Sequence, residues 1–251
     1  MQSIRKRLTA TALAATFTGV ALLATGCSGD SEKGNEDAKP KAAAVAVASA
    51  EAVDVSKTTT LRKLNGLPDT PAKLSTSTLI MVDYQNTYTQ GVMELEGWKP
   101  ALDEAAALLE KTRKAGGKVI HVVNDGGKGT PYDVNAEIGK IHPKVAPIYG
   151  EPVVVKTKPN GFVDTDLAKR VDEAGNKDVV IAGFMTNMCV TFTTEGAFLR
   201  GNQPTVVAAA SATRPLPSPA GDMSAQQVHK AALATIADLY GVVVPNAAAL
   251  S

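Results

Sequence analysis

The stretch VVIAGFMTNMCVTFTTEGAFL, residues Val179–Leu199, decides the fold of this chain. It opens on a short apolar run, breaks at Gly183, and passes through a turn into a helical pattern that contains Cys189. An apolar run followed by a tight turn and a helix is one half of a βαβ unit. The pattern places Cys189 in the first turn of the helix, where free N–H groups and the helix dipole favour an ionised, nucleophilic thiol. The alternative is a small buried hydrophobic residue, the commoner role of a free cysteine.

The rest of the chain repeats the alternation of strand and helix. Apolar runs predict strands, and amphipathic segments between them predict helices, one of them with a capping box formed by Ser224 and Gln227. This alternation implies an α/β fold of three layers, αβα, in which helices cover both faces of a parallel, Rossmann-like sheet. The predicted strands are Thr78–Val82, Lys118–Asn124, Pro152–Lys156, Val179–Ala182, Thr205–Ala209 and Val242–Val244.

Composition limits the number of domains and the kinds of partner. The chain has 251 residues, a formal net charge of +1 and 44% hydrophobic residues. These values suit one compact domain, which we place at residues 61–251, together with extra segments. The near-neutral charge gives no reason to expect a nucleic acid as partner. Only Cys189 of the two cysteines lies in the predicted domain, so a disulfide framework is excluded there.

Residues 1–27 have the pattern of an export signal, with basic Arg5-Lys6-Arg7, the apolar stretch Leu8–Leu23, and small residues before Cys27. The ending Ala24-Thr25-Gly26-Cys27 resembles a bacterial lipobox, which predicts that Cys27 is acylated and anchors an extracytoplasmic protein to the membrane. The alternative is ordinary secretion with cleavage elsewhere. Residues 28–60 follow without any apolar period, and we predict that they are a disordered tether.

Three polar residues stand at the ends of three predicted strands: Asp83, Lys156 and Cys189. Because the carboxyl ends of parallel strands meet at one edge of the sheet, we expect these side chains to lie together. A carboxylate there can accept the thiol proton, and an ammonium can stabilise the thiolate. The turn Phe184–Met188 can direct backbone N–H groups at an oxyanion. Taken singly, Asp83 could be a turn cap and Lys156 a surface lysine, with Lys158 equally available.

Three motifs stand in order between about Thr78 and Val244. They are Val82-Asp83-Tyr84-Gln85-Asn86 with Tyr88, then Lys156 followed by Phe162, then Gly183–Val190. Together they resemble the isochorismatase-like cysteine hydrolases, whose motif G-x-x-T-x-x-C-V is similar to the third. The position of Phe162 selects Lys156 over Lys158.

The resemblance implies a role for each residue of the constellation. Asp83 becomes the general base, Lys156 the electrostatic partner and Cys189 the nucleophile. The resemblance also implies a cis peptide bond between Phe184 and Met185, an oxyanion hole made of the N–H groups of Met185 and Cys189, and assembly as a homo-oligomer.

The chain departs from the family's metal-dependent members after the second strand. The nicotinamidases carry an aspartate and histidines there, whereas this chain reads Asn124-Asp125-Gly126-Gly127, and His142 with Asp125 makes a poor metal site. We therefore predict that no metal and no cofactor is used. The candidate walls of the substrate pocket are Gln85, Tyr88, Trp98, Asn124 and Phe162, although Trp98 could equally be a hydrophobic plug under a loop.

The resulting hypothesis is a metal-independent hydrolase that cleaves a small amide or related C–N substrate through a thioester on Cys189. One alternative is isochorismatase activity, the hydrolysis of a vinyl ether, which does not need a cysteine nucleophile. Alternatives of another kind are a surface binding lipoprotein that has kept the pocket without the chemistry, or an interaction module. A reactive thiol of low pKa would favour the enzyme.

Overall fold

The structure is a computed structural model that describes residues 54–251. The predicted signal peptide, Cys27 with its predicted lipid, and residues 28–53 of the predicted tether lie outside the described residues. Where the tether prediction overlaps the structure, the chain forms one exposed turn of 3-10 helix, Val55–Lys57, and the tether stays a prediction. Within the described range, no helix is both long and apolar enough to cross a bilayer.

Six strands form one sheet in the order β3-β2-β1-β4-β5-β6, and every neighbouring pair is parallel. This arrangement confirms the predicted α/β fold. The strand bounds are β1 Ser77–Val82, β2 Lys118–Asn124, β3 Val153–Lys156, β4 Asp178–Gly183, β5 Gln203–Val207 and β6 Val242–Val244. The helix bounds are α1 Leu61–Leu64, α2 Trp98–Lys114, α3 Leu167–Ala174, α4 Thr191–Leu199 and α5 Ala225–Thr235.

Alternating side chains of the buried strands build two separate core layers. In β1, Leu79 and Met81 pack into one layer, while Ile80 and Val82 pack into the other, because successive side chains point to opposite faces of a sheet. The first layer is covered by the apolar face of α2, and the second by α3 and α4. Cys189 belongs to the second layer. Its environment is therefore set by the helices of that side.

Two segments differ from the sequence prediction. The lead-in before β1, which we expect to be irregular, contains α1, whose first turn is capped by the hydroxyl of Thr60. The predicted continuous helix from Thr186 to Arg200 begins instead as a wider π-helical turn, Thr186–Val190, and becomes α-helical only at Thr191. The Thr191 hydroxyl donates to the Thr186 carbonyl, 2.6 Å away, and so satisfies a backbone acceptor of that turn.

Candidate active site

Asp83 directly follows β1, and its side chain is completely buried. Its N–H donates to the Val122 carbonyl, and its own carbonyl accepts from the Gln85 N–H, so the chain bends sharply at this residue. The bend holds Asp83 at a φ of 51°, in the left-handed region that only a small share of non-glycine residues occupy. Such conformations persist where surrounding structure enforces them, and they cluster at functional sites.

Lys156 ends β3, and its side chain is also completely buried. Its ammonium lies 2.7 Å from Oδ2 of Asp83, 3.2 Å from Sγ of Cys189 and 3.0 Å from Oδ1 of Asn124. A buried ammonium requires such partners, because an unpaired charge in the core carries a large desolvation cost. Lys156 therefore joins the carboxylate to the thiol, while Lys158 is exposed.

Cys189 reaches this pair because β4 ends very close to β1. Gly183, the last residue of β4, sits so near Val82 that an added Cβ would lie 2.1 Å from the Val82 carbonyl oxygen. Only glycine fits this approach, and the chain then turns into the π-helical turn that carries Cys189. The structure thus brings Asp83, Lys156 and Cys189 together, as their positions at the strand ends predict.

The electrostatics of the three groups correct one prediction. Burial raises the pKa of the Cys189 thiol, and the charge of Asp83 raises it further, to about 12, against the opposing charge of Lys156. Burial likewise raises the pKa of Asp83, with Lys156 opposing. Burial lowers the pKa of Lys156, but Asp83 and Cys189 outweigh it and the net direction is upward. The prediction that the first turn of the helix lowers the pKa of the Cys189 thiol is therefore wrong. Burial and the neighbouring Asp83 carboxylate have the larger effect on this pKa.

The turn before Cys189 has the backbone that the resemblance implies. The peptide bond between Phe184 and Met185 is cis. Thr186 donates its N–H to the Ala212 carbonyl, which fixes the turn to the segment after β5. In the described part of the chain, no acceptor is hydrogen-bonded to the N–H of Met185.

Tyr88 lies near Asp83 and Cys189, and Tyr132 packs against it. Arg214 lies within electrostatic reach of Tyr132, and sequence reasoning missed both Tyr132 and Arg214. Burial raises the pKa of the Tyr88 hydroxyl, and the charges of Asp83 and Cys189 raise it further. The rings of Tyr88 and Tyr132 meet edge to face, 5.7 Å apart. Burial raises the pKa of Tyr132, the negative charges of Cys189 and Asp83 raise it further, and Arg214 opposes the shift. Tyr132 and Arg214 lie in loops, where the sequence has no helical or strand periodicity that would single them out.

Gln85 does not line a pocket. Its side chain is fully buried, and its amide donates to the carbonyls of Asn124 and Gly139 while its oxygen accepts from the N–H of Asn124. The Gln85 amide joins the end of β2 to the long loop that follows. Its hydrogen-bonding groups are therefore used within the protein and stabilise the fold. Asn124, partly exposed, uses its side-chain oxygen to hold the ammonium of Lys156.

Phe162 and Trp98 contact residues away from the triad. Phe162 packs on Gly196 near the end of α4. The guanidinium carbon of Arg200 lies over the Phe162 ring, 5.5 Å from the ring centre. Phe162 also packs against the core layer that contains Cys189, so its role as a pocket wall stays a prediction. Trp98 donates its indole N–H to Glu94 and faces His142 of the long loop, which favours the hydrophobic plug.

Across residues 54–251, no group of three or more His, Cys, Asp and Glu side chains is arranged to hold a metal ion. His142 accepts a hydrogen bond from the Lys144 N–H, and the buried His121 pairs with Glu151. The independence from metal stays a prediction.

Comparison with known proteins gives consistent matches. The isochorismatase domain family matches residues 77–248. The chain is 31% identical over 186 residues to the secreted isochorismatase effector Isc1 of Verticillium dahliae, covering 74% of this chain and 96% of that protein. It is 36% identical, with a TM-score of 0.74, to the crystal structure of an isochorismatase from Pseudomonas putida KT2440, covering 77% of this chain and 100% of that one. A streptothricin hydrolase of Streptomyces noursei is 32% identical over 140 residues, which cover 56% of this chain and 51% of that protein.

Proposed function

The chain belongs to the isochorismatase family of hydrolases, and we propose that it cleaves the C–N bond of a small amide through a thioester on Cys189. The single observation that carries this proposal is the buried contact of the Lys156 ammonium with both the Asp83 carboxylate and the Cys189 sulfur. A carboxylate, an ammonium and a thiol in contact form an activated nucleophile with its base. The streptothricin hydrolase among the relatives supports hydrolytic chemistry.

The first half of the reaction forms the thioester. Asp83 accepts the thiol proton as the Cys189 sulfur attacks the carbonyl carbon, because a thiol with a pKa of about 12 carries its proton at rest. The raised pKa of Asp83 makes it a stronger base for this step. The oxyanion accepts hydrogen bonds from the N–H groups of Met185 and Cys189. Asp83 then gives the proton to the leaving nitrogen, and the C–N bond breaks.

The second half releases the acid. A water molecule loses a proton to Asp83 and attacks the thioester carbonyl, and the C–S bond breaks. The proton returns to the sulfur, which restores the thiol. Lys156 remains protonated throughout and balances the negative charge as it passes between the carboxylate and the sulfur.

The substrate of this reaction carries an acidic group, which Arg214 binds. The guanidinium forms no salt bridge within the described chain, and its buried Nε has no hydrogen-bond partner there. The neighbouring Thr213 donates to Asn187, 2.6 Å away and two residues before the nucleophile, which fixes Arg214 against the turn. A carboxylate on the substrate would fill these open donors.

The test is a turnover screen of small amides, ureas and isochorismate with the purified protein and with Cys189→Ala. We expect the protein to release amine or ammonia and the variant to be inactive with its fold intact. An acylated Cys189 trapped by rapid acid quench and detected by mass spectrometry would support the thioester directly. Amide turnover that survives Cys189→Ala would refute the proposal, as would turnover of isochorismate alone. A protein that binds amides without turning them over would be a surface binding protein instead.

The place of the reaction is part of the same proposal. The relative from Verticillium dahliae is named a secreted effector, which supports export. The proposed route is the signal peptide of residues 1–27, with a lipid on Cys27 and a homo-oligomer outside the cytoplasm. Mass measurement of the mature N-terminus decides between the lipoprotein and ordinary secretion.

A further inference from the structure

A cavity of about 190 Å³ lies at the edge of the sheet opposite the candidate active site. It opens beside Asp178, Gln203 and Val242, which are the first residues of β4, β5 and β6. Cys189 and Asp83 lie beyond the carboxyl ends of the strands, so the length of β4, roughly 17 Å at the usual rise per residue, separates the two sites. The cavity is therefore not part of the catalytic pocket.

The segment before β1 forms one side of this cavity. It contributes Arg62, Leu67, Pro68, Thr70 and Ala72, all outside the range that matches the isochorismatase domain. The segment is held to the domain by the N–H of Ala72, which donates to the Thr205 hydroxyl, and by Arg62, which donates to the Leu239 carbonyl. The wall of the cavity therefore combines the leading segment with the first residues of the strands.

Arg62 places a buried positive charge in the cavity wall. The residue is only 6% exposed, and its Nε has no hydrogen-bond partner in the part of the chain that the structure covers. The exposed Asp69 forms a salt bridge with Arg62, with its oxygen 3.6 Å from Nε, which is longer than a hydrogen bond. The other guanidinium nitrogens donate to the Leu239 and Pro68 carbonyls, so the Nε–H is the donor left open. A buried donor without an acceptor costs free energy that an anionic ligand would recover.

The cavity lining is about equally polar and apolar, with one further cation at its edge. Phe198, Pro204 and Leu67 contribute apolar side chains, and the exposed Lys177 contributes the second positive charge. Asp178 is the acidic residue of the lining, and it stands next to Lys177 in the chain. An anion with an apolar body fits this combination better than a small inorganic ion.

We propose that this cavity is a second ligand site, which binds a small organic carboxylate. The carboxylate accepts the Nε–H of Arg62, and the apolar body packs against Phe198 and Pro204. The ligand contacts both the leading segment and the sheet, so it binds the folded state and raises its stability by mass action. The site is independent of the chemistry at Cys189.

The probe is benzoate, with benzyl alcohol as the uncharged analogue of similar shape. We expect benzoate to raise the melting temperature and to shift the amide resonances of Asp178, Gln203 and Val242, while those of Met185 and Cys189 do not move. Benzyl alcohol binds at least about tenfold more weakly, because it lacks the charge. Equal binding of the two compounds, tighter binding of inorganic phosphate, or shifts confined to Met185 and Cys189 would each overturn the proposal.

Two variants test the charges. Arg62→Gln loses about tenfold or more in benzoate affinity. Because Arg62 also holds the leading segment, the exposed Lys177→Glu provides a second test, with a several-fold loss expected. The matched control is Lys230→Glu, which makes the same charge change on α5, away from the cavity, and leaves the affinity unchanged. Equal changes of benzoate affinity in Lys177→Glu and Lys230→Glu would refute the proposal.

Discussion

The ammonium of Lys156 lies 2.7 Å from a carboxylate oxygen of Asp83, and neither side chain has any exposed surface. The two residues come from strands that are not neighbours, since β2 lies between β3 and β1. Their contact joins the ends of both strands across β2. It also fixes the charge state of the site, because neither group can lose its partner without leaving a buried charge uncompensated.

Replacing Lys156 by methionine tests this ion pair. We expect Lys156→Met to lower the free energy of unfolding by about 3–5 kcal/mol, because it leaves Asp83 buried without its counter-charge. Urea denaturation at pH 7 measures the loss. The matched control is Lys158→Met, an exposed lysine two positions away, which should change stability by less than about 0.5 kcal/mol. Equal losses of unfolding free energy in the two variants would mean that the Lys156–Asp83 ion pair does not stabilise this edge of the sheet.

The raised thiol pKa gives a test with two opposite readouts. Alkylation of Cys189 by iodoacetamide should keep accelerating from pH 8.5 towards pH 12, because the pKa of the thiol is about 12. Asp83→Asn removes the negative charge that helps to raise this pKa while Lys156 stays, so alkylation at pH 7 should become faster although turnover is lost. Mass spectrometry follows the alkylation. Asp125→Asn, a carboxylate outside the triad, should change neither rate, and slower alkylation of Asp83→Asn would contradict the assignment of the base.

The role of Arg214 predicts a change in substrate binding. Arg214→Gln should raise KM for an acidic amide by about tenfold or more with a smaller change in kcat, because the lost contact is equally present in the ground state and the transition state. An uncharged analogue of the same amide should show no such rise. Arg200→Gln is the control, since Arg200 pairs with Asp172 at the end of α4. Unchanged KM values would remove Arg214 from the site.

Glu151 should make the protein sensitive to acid. Burial alone would raise the pKa of Glu151, but hydrogen bonds from Arg113, the Ile148 N–H and His121 bring it down to about 2. A depressed folded-state pKa contributes stability that is complete above the unfolded value of 4.5 and is lost as the pH falls towards 2. The contribution is at most about 3 kcal/mol.

Glu151→Gln measures that contribution. The variant should be less stable than the parent at pH 7, and the difference should shrink when unfolding is measured between pH 4.5 and pH 2. Glu137→Gln removes an exposed carboxylate paired with Lys140 and should shift the curve little. A stability difference that stays constant down to pH 2 would show that Glu151 contributes through packing and not through its charge.

Local sequence pattern was sufficient for the architecture and for the meeting of Asp83, Lys156 and Cys189. Alternating apolar and helical periods mark the six strands and the helices between them, although not α1, and β2 and β6 have the bounds that the pattern predicts. Parallel strands bring their carboxyl ends to one edge, so Asp83, Lys156 and Cys189 converge by topology alone. The resemblance in the three motifs added the cis bond between Phe184 and Met185.

Only the tertiary structure decided what surrounds these residues. Phe162 stands at a motif position, yet the close packing of its loop on Gly196 takes its ring to the end of α4. Tyr132 packs against Tyr88 from a loop whose path depends on long-range contacts. The pKa of Cys189 depends on its burial and on the charges of Asp83 and Lys156, which come from distant parts of the chain. Such quantities depend on distances through space, which no spacing along the sequence specifies.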